Sequence, residues 1–285
     1  MSSAVLSWWY FLCVLAAVNI AAWSSSAQAL GQRQTGLSVE SYSACRIQLA
    51  LSAVYVFGCA FRSVFPVYDI PRLCLFDTWL SSVAVGRSVA TAAELCFVSQ
   101  WALLLNATAR SAGSTVARAV SLLVVPLIAT AEICSWYAVL TTSNLGHVAE
   151  NSLWATAAVL IVAAMISVLP HYTGQRRWVL FGWCLAGLTY VAFMFLIDVP
   201  TYWMRHLADE AANRHYFSIA QGLADVAQRR VVSYRWEDWK SEVVWMTLYF
   251  SLGVWFSISL TQPRVQVVRS ADSRRSSGVL QPLRE

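Results

Sequence analysis

Two glutamates lie inside stretches apolar enough to cross a membrane. Glu94 falls in ATAAELC (90–96), and Glu132 falls in a partial echo of it, ATAEIC (129–134). Glu94 is seven residues beyond Arg87, and Glu132 is nine residues before Thr141, where its span should emerge. At ~1.5 Å per helical residue both carboxylates fall about 10–14 Å below the same face. Burial disfavours a carboxylate's charge, and a second carboxylate alongside disfavours it further. A shared proton, a bound cation, or pairing with Arg87 or Arg62 would each relieve the conflict. Arg87, Thr91 and Glu94 share one helical face. Ser135, Trp136 and Tyr137 follow Glu132, and Pro126 should kink that helix upstream. Ionisable groups at this depth mark ion or solute pathways by default. The competing reading is interhelical glue, with each glutamate hydrogen-bonded and silent.

A second constellation pairs histidine with carboxylate. HVAE (147–150) and HLAD (206–209) set His147 with Glu150 and His206 with Asp209 at the i, i+3 spacing of helical metal sites. A divalent metal is the one cofactor these residues suggest. The plainer reading is solvated or capping residues. A third group comes from YDIPR (68–72) and YRWEDW (234–239). Asp69, Arg72, Asp77, Asp198, Trp236 and Glu237 could line a pocket for an amphiphile's polar head. Against that stands an interfacial belt with local ion pairs.

The elements that must position these residues are membrane spans. Of 285 residues, 58% are hydrophobic and 12% charged, half the charge of an ordinary soluble domain. Seven segments approach the ~20 apolar residues that cross a bilayer: 6–23, 47–65, 83–105, 119–140, 153–169, 178–197 and 243–260. Lipid cannot satisfy a sheet edge, so the expected fold is an all-α polytopic bundle over 1–262. The segment 73–82, broken by Asp77, reads as interfacial or re-entrant. The connection 198–242 reads as extramembrane or interfacial. Within it Phe217, Ala220, Leu223, Ala224 and Ala227 predict an amphipathic helix ending near Arg229 and Arg230, laid on the membrane. The tail 263–285 is Ser- and Arg-rich and predicts disorder, with anionic lipid headgroups as its possible partner.

Arginine placement predicts orientation. The face opposite the N-terminus receives 24–46, 106–118, 170–177 and the tail. These carry Arg33, Arg46, Arg110, Arg118, Arg176 and Arg177, and the tail adds Arg264, Arg269, Arg274, Arg275 and Arg284. The short loops of the N-terminal face carry Arg72 alone. The positive-inside rule then makes the N-terminus non-cytoplasmic and the C-terminus cytoplasmic. A cleaved signal peptide ending at Ala27-Gln28-Ala29 would reverse this, but MSSAVLSWW lacks a basic n-region. The sequon at Asn106 should then face the cytoplasm unmodified.

The net charge of +5 comes from dispersed arginines and points to no nucleic acid. The seven cysteines lie mostly in apolar runs without a CxxC and read as small hydrophobes. There is no GxxxxGK[ST], GxSxG or HExxH, so nucleotide hydrolysis, α/β-hydrolase chemistry and zincin proteolysis lose support. The last span has no retinal-binding lysine and no NPxxY, and the third span has no DRY. These observations favour a carrier or channel-like protein for a small solute or amphiphile, working through the Glu94–Glu132 pair. The alternatives are an enzyme acting on a lipid-like substrate at the non-cytoplasmic face, and a non-catalytic subunit of a membrane complex.

Overall fold

The computed structural model describes residues 2–262, so the tail expected at 263–285 lies outside the described residues. Seven helices are long and apolar enough to span a membrane: Ser3–Gln32, Val39–Val64, Val83–Ala112, Thr115–Thr141, Asn144–His171, Arg177–Ala211 and Trp236–Leu260. They mark an all-α, multi-pass integral membrane protein. We label the first five helices α1 (Ser3–Gln32), α2 (Val39–Val64), α3 (Val83–Ala112), α4 (Thr115–Thr141) and α5 (Asn144–Val168). The sixth span consists of α6 (Gly174–Phe193) and α7 (Val199–Ala211), joined by a π-helical turn over Met194–Asp198. A short α8 (Ile219–Gln228) follows. The seventh span is α9 (Trp236–Leu248) and α10 (Val254–Leu260), joined by a second π turn over Tyr249–Gly253.

Helix ends follow local chemistry. Ser38, Ser82 and Ser114 each accept a hydrogen bond from the backbone N–H three residues on, starting α2, α3 and α4. Ser218 and Gln221 form a capping box for α8. Gly113, at φ 67°, ends α3 in the left-handed conformation that lacks a penalty only for glycine. Helices adjacent in sequence pack on one another from α1 to α6, and α10 returns against α2, α3 and α1. The sixth span leans chiefly on α5. One apolar core fills the space among α3, α4, α5 and α6, and a second lies between α1, α2 and the seventh span.

Most helices run past their apolar spans at one or both ends, and two of these extensions carry candidate site residues. The fifth helix begins at Asn144, where the apolar run begins only at 153, so His147 and Glu150 lie in a helix and not in a loop. The sixth continues past 197 to Ala211, leaving 212–235 as the connection. Hydropathy marks where lipid contact ends, not where hydrogen-bonded helix ends. The polar groups of α7 and early α5 are satisfied by one another, as when Asn151 donates to Asp198 (2.6 Å).

The N-terminal face carries a small sheet. β1 (Val67–Tyr68) pairs antiparallel with β2 (Leu73–Cys74), and β3 (Val231–Val232) runs parallel to β2. Residues 73–82 therefore form a strand and a 3-10 turn over Trp79–Ser81, with no re-entrant helix. α8 forms where its pattern placed it, but with another face inward. Gly222 and Val226 are buried, while Leu223 and Ile219 are exposed. Gly222 decides this: a Cβ there would meet the Leu140 carbonyl oxygen at 2.1 Å, so α8 seats its glycine on the end of α4.

Candidate functional site: a buried carboxylate cluster

α3, α4 and α5 converge on a polar cluster inside the bundle. α4 and α5 approach closely because Gly146 offers no side chain: a Cβ there would lie 2.7 Å from Ala138 Cβ and 2.8 Å from the Cys134 carbonyl oxygen. That contact brings Glu132 of α4 beside Glu150 of α5. Glu94 of α3 completes the set, with one carboxylate oxygen from each of the three within 4.8 Å of the others. All three are buried, at 6% exposure for Glu94 and Glu150 and 3% for Glu132.

Arg87 is their counter-ion. Its Nη2 donates to Glu132 Oε2 (2.8 Å) and Glu150 Oε1 (3.0 Å), and lies 3.6 Å from Glu94 Oε2. Thr91 donates to Glu132 Oε2 (2.6 Å), and Trp136 Nε1 donates to Thr91 in turn (3.1 Å). Tyr249, which opens the second π turn, donates to Glu94 Oε1 (2.9 Å). His147 Nδ1 lies 2.8 Å from Glu150 Oε2. Glu132 Oε1 and Arg87 Nε are buried and make no hydrogen bond with any described residue.

Three carboxylates thus face one guanidinium and one imidazole. Fully ionised, the cluster keeps an excess of negative charge in a medium that tolerates none cheaply, since an unpaired buried ion costs several kcal/mol. A charged imidazole would still leave one negative charge over, so a proton or a cation is needed to complete it. Its members are anchored on three helices, with Arg87, Thr91 and Glu94 on α3, Glu132 on α4, and His147 and Glu150 on α5.

The expected pair, Glu94 and Glu132, is therefore brought together, with Arg87 and Thr91 beside it. Arg62 is not part of it. Its guanidinium lies over the Phe250 ring, 6.0 Å from the centroid, and it makes no ion pair with any described residue. The four residues expected to hold a metal do not converge. His147 and Glu150 join the carboxylate cluster, whereas Asp209 accepts from Asn144 (2.7 Å) and Arg214 (2.9 Å), and His206 packs on Trp203. Asn144 precedes His147 by one turn and captures Asp209 before it can approach that histidine.

The residues expected to line one pocket are also dispersed. Arg72 is buried at 2% exposure and in the left-handed region (φ 75°). It donates to Asp225 Oδ2, the Asp69 carbonyl and the Val139 carbonyl, each at 2.7 Å, tying α8, the β1–β2 turn and α4 together. Asp77 pairs with Arg230 (2.8 Å) at the surface, and Glu237 pairs with Lys240 one turn on. Trp236 starts α9 half-buried in the second core. Of this group, Asp198 lies toward the cluster through Asn151, and Asp69 is near enough to interact with the Arg87 charge.

Sequence reasoning missed Glu150's place in the cluster, together with Tyr249 and Asn151. A depth count from Ser143 would have found Glu150: seven residues in, at ~1.5 Å each, is about 10 Å below the N-terminal face. Tyr249 carried no such signal, because nothing in the sequence says which helix neighbours α3. At the rim, burial and the adjacent Glu242 carboxylate push the Tyr68 phenol up to about 12, so it stays a neutral donor. No protein-family model, curated protein or solved structure matches this chain.

Proposed function

We propose that this protein is a membrane carrier for a small solute or amphiphile, coupled to a change of protonation or cation occupancy at the Glu94–Glu132–Glu150 cluster. The observation that supports it is the charge imbalance: three buried carboxylates share a single guanidinium nitrogen. Structural glue needs no such excess, since one glutamate would satisfy Arg87. Solute would enter from the N-terminal face, toward which Arg87 lies. On the arginine count that face is non-cytoplasmic.

The test uses the conservative variants Glu94→Gln and Glu132→Gln, which keep shape and hydrogen bonding but cannot ionise. Small solutes and amphiphiles are screened for thermal stabilisation of the purified protein at two pH values. A ligand that binds wild type with pH-dependent affinity, and binds Glu94→Gln without that dependence, supports the carrier. Both Gln variants behaving as wild type, with Glu94→Leu alone destabilised, would reduce the cluster to glue.

A further inference from the structure

The cluster is sealed by its own helices, so whatever charge it exchanges needs a way in. Two observations bear on what that charge is. The central position among the three carboxylates is already filled, because Arg87 Nη2 lies 2.8, 3.0 and 3.6 Å from the nearest oxygen of each. A metal ion would have to take that place from the guanidinium. Glu132 Oε1 is buried without a hydrogen-bond donor, the Glu94 carboxylate lies alongside, and a proton held between the two groups needs no displacement.

His147 is the exit from the cluster. Its Nδ1 is engaged with Glu150, while its Nε2 makes no hydrogen bond with any described residue. Imidazole accepts a proton at one nitrogen and releases the other, which suits it to relay. The ring packs on Tyr202 of α7, with centroids 5.0 Å apart. Beyond it lies Asp198, half-buried and held by Asn151, which follows His147 by one turn of α5. Asp198 closes the first π turn. Pro200 lacks the N–H that would bond back to residue 196, and the helix widens there. Such turns recur at functional sites.

We propose that protons reach the cluster along the contact between the fifth and sixth spans, by way of Asp198 and His147. This rests on the carrier reading and names its coupling ion. The step is a relay: one proton binds His147 Nε2 from Asp198 or water, and the proton on Nδ1 passes to Glu150 Oε2. Only N–H and O–H bonds change, and the reverse step restores the ring. The charged and titratable groups around His147 and its partners are Glu150 on its own helix, Arg87 and Glu94 on α3, Glu132 on α4, and Asp69 in the β1–β2 turn. The sixth span presents Tyr190, Asp198, Tyr202 and Arg205, and the seventh presents Glu242, which lies 3.8 Å from Arg205.

The test is a light-triggered pH jump on the full chain in nanodiscs, followed through the protonated-carboxyl infrared band. In wild type the band should respond, and it should be lost in Glu94→Gln. In His147→Gln its final amplitude should persist while its rate falls by about 100-fold, the lower end of what a positioned acid–base group contributes. Asp198→Asn should slow it as well, and serves if His147→Gln does not fold. Unchanged rates in the folded variants would overturn the relay. So would a stoichiometric metal ion whose removal is needed before any band appears. The two readings fail separately. Slowed protonation without pH-dependent solute binding removes the carrier and keeps the relay. Coupled binding with an unchanged rate does the reverse.

Discussion

Arg87 is the residue whose loss should cost the most stability. Its side chain is buried, and a single nitrogen serves three carboxylates. Breaking a buried ion pair from one side leaves the other charge unsolvated, at about 3–5 kcal/mol. Arg87→Met should therefore lower the thermal midpoint in detergent sharply. Adding Glu132→Gln should recover part of the loss, because it removes one orphaned charge. An Arg87→Met protein that melts like wild type would show that protons already neutralise the cluster without help from the guanidinium. Glu132→Gln alone should be mild, since the Gln oxygen still accepts from Arg87 and Thr91. Tyr68 illustrates a gentler case at the rim. Tyr68→Phe removes a neutral donor beside Glu242, for which a net hydrogen bond is worth about 1 kcal/mol or less where water can replace it.

At the scale of elements, α8 was legible in its limits but not in its facing. The periodic positions 217, 220, 223, 224 and 227 mark an apolar stripe, yet the side against α4 is Gly222–Val226. In water the apolar stripe would face inward. Here the stripe is exposed, and the small residue faces the neighbouring helix, as in membrane helix packing. The start of α5 was hidden for a related reason, since its first turns hold Asn144 and Glu150, whose partners include polar groups on other helices, and His147, which pairs with Glu150. Gly222→Val tests the seating of α8. The new side chain meets the Leu140 carbonyl and must push the helix off, exposing Asp225 and freeing Arg72. Hydrogen exchange over 219–228 should rise toward that of exposed loops, while α3–α5 keep their protection. Unchanged exchange in Gly222→Val would mean that α8 is held by its Arg72 anchor and not by this contact.

For the whole molecule, the count of seven spans and the depth of two glutamates could be read from hydropathy and residue spacing alone. The third carboxylate could not, because it depends on how α4 and α5 pack at Gly146. The arrangement of charge motivates the expected orientation. The backbone N–H of Ser2 bonds to the Tyr234 carbonyl (3.1 Å), so the N-terminus and the connection before α9 share one face. Gln262 reaches Ser26 (3.4 Å) at the other end of the bundle. On the N-terminal face Arg72, Arg205, Arg214, Arg229, Arg230 and Lys240 are each paired with a carboxylate. On the opposite face Arg33, Arg46, Arg110, Arg118 and Arg177 make no ion pair with any described residue. On the positive-inside rule, unpaired arginines in loops this short are expected on the cytoplasmic side. Cysteines placed singly at Ser3, Ser218 and Ser273, with the accessible native thiols removed, report the outcome in intact cells. An impermeant maleimide should label Ser3→Cys and Ser218→Cys from outside, and Ser273→Cys only after permeabilisation. Labelling of the first two only after permeabilisation would invert the protein, place the mouth nearest Arg87 in the cytoplasm, and reverse the direction from which protons reach Asp198.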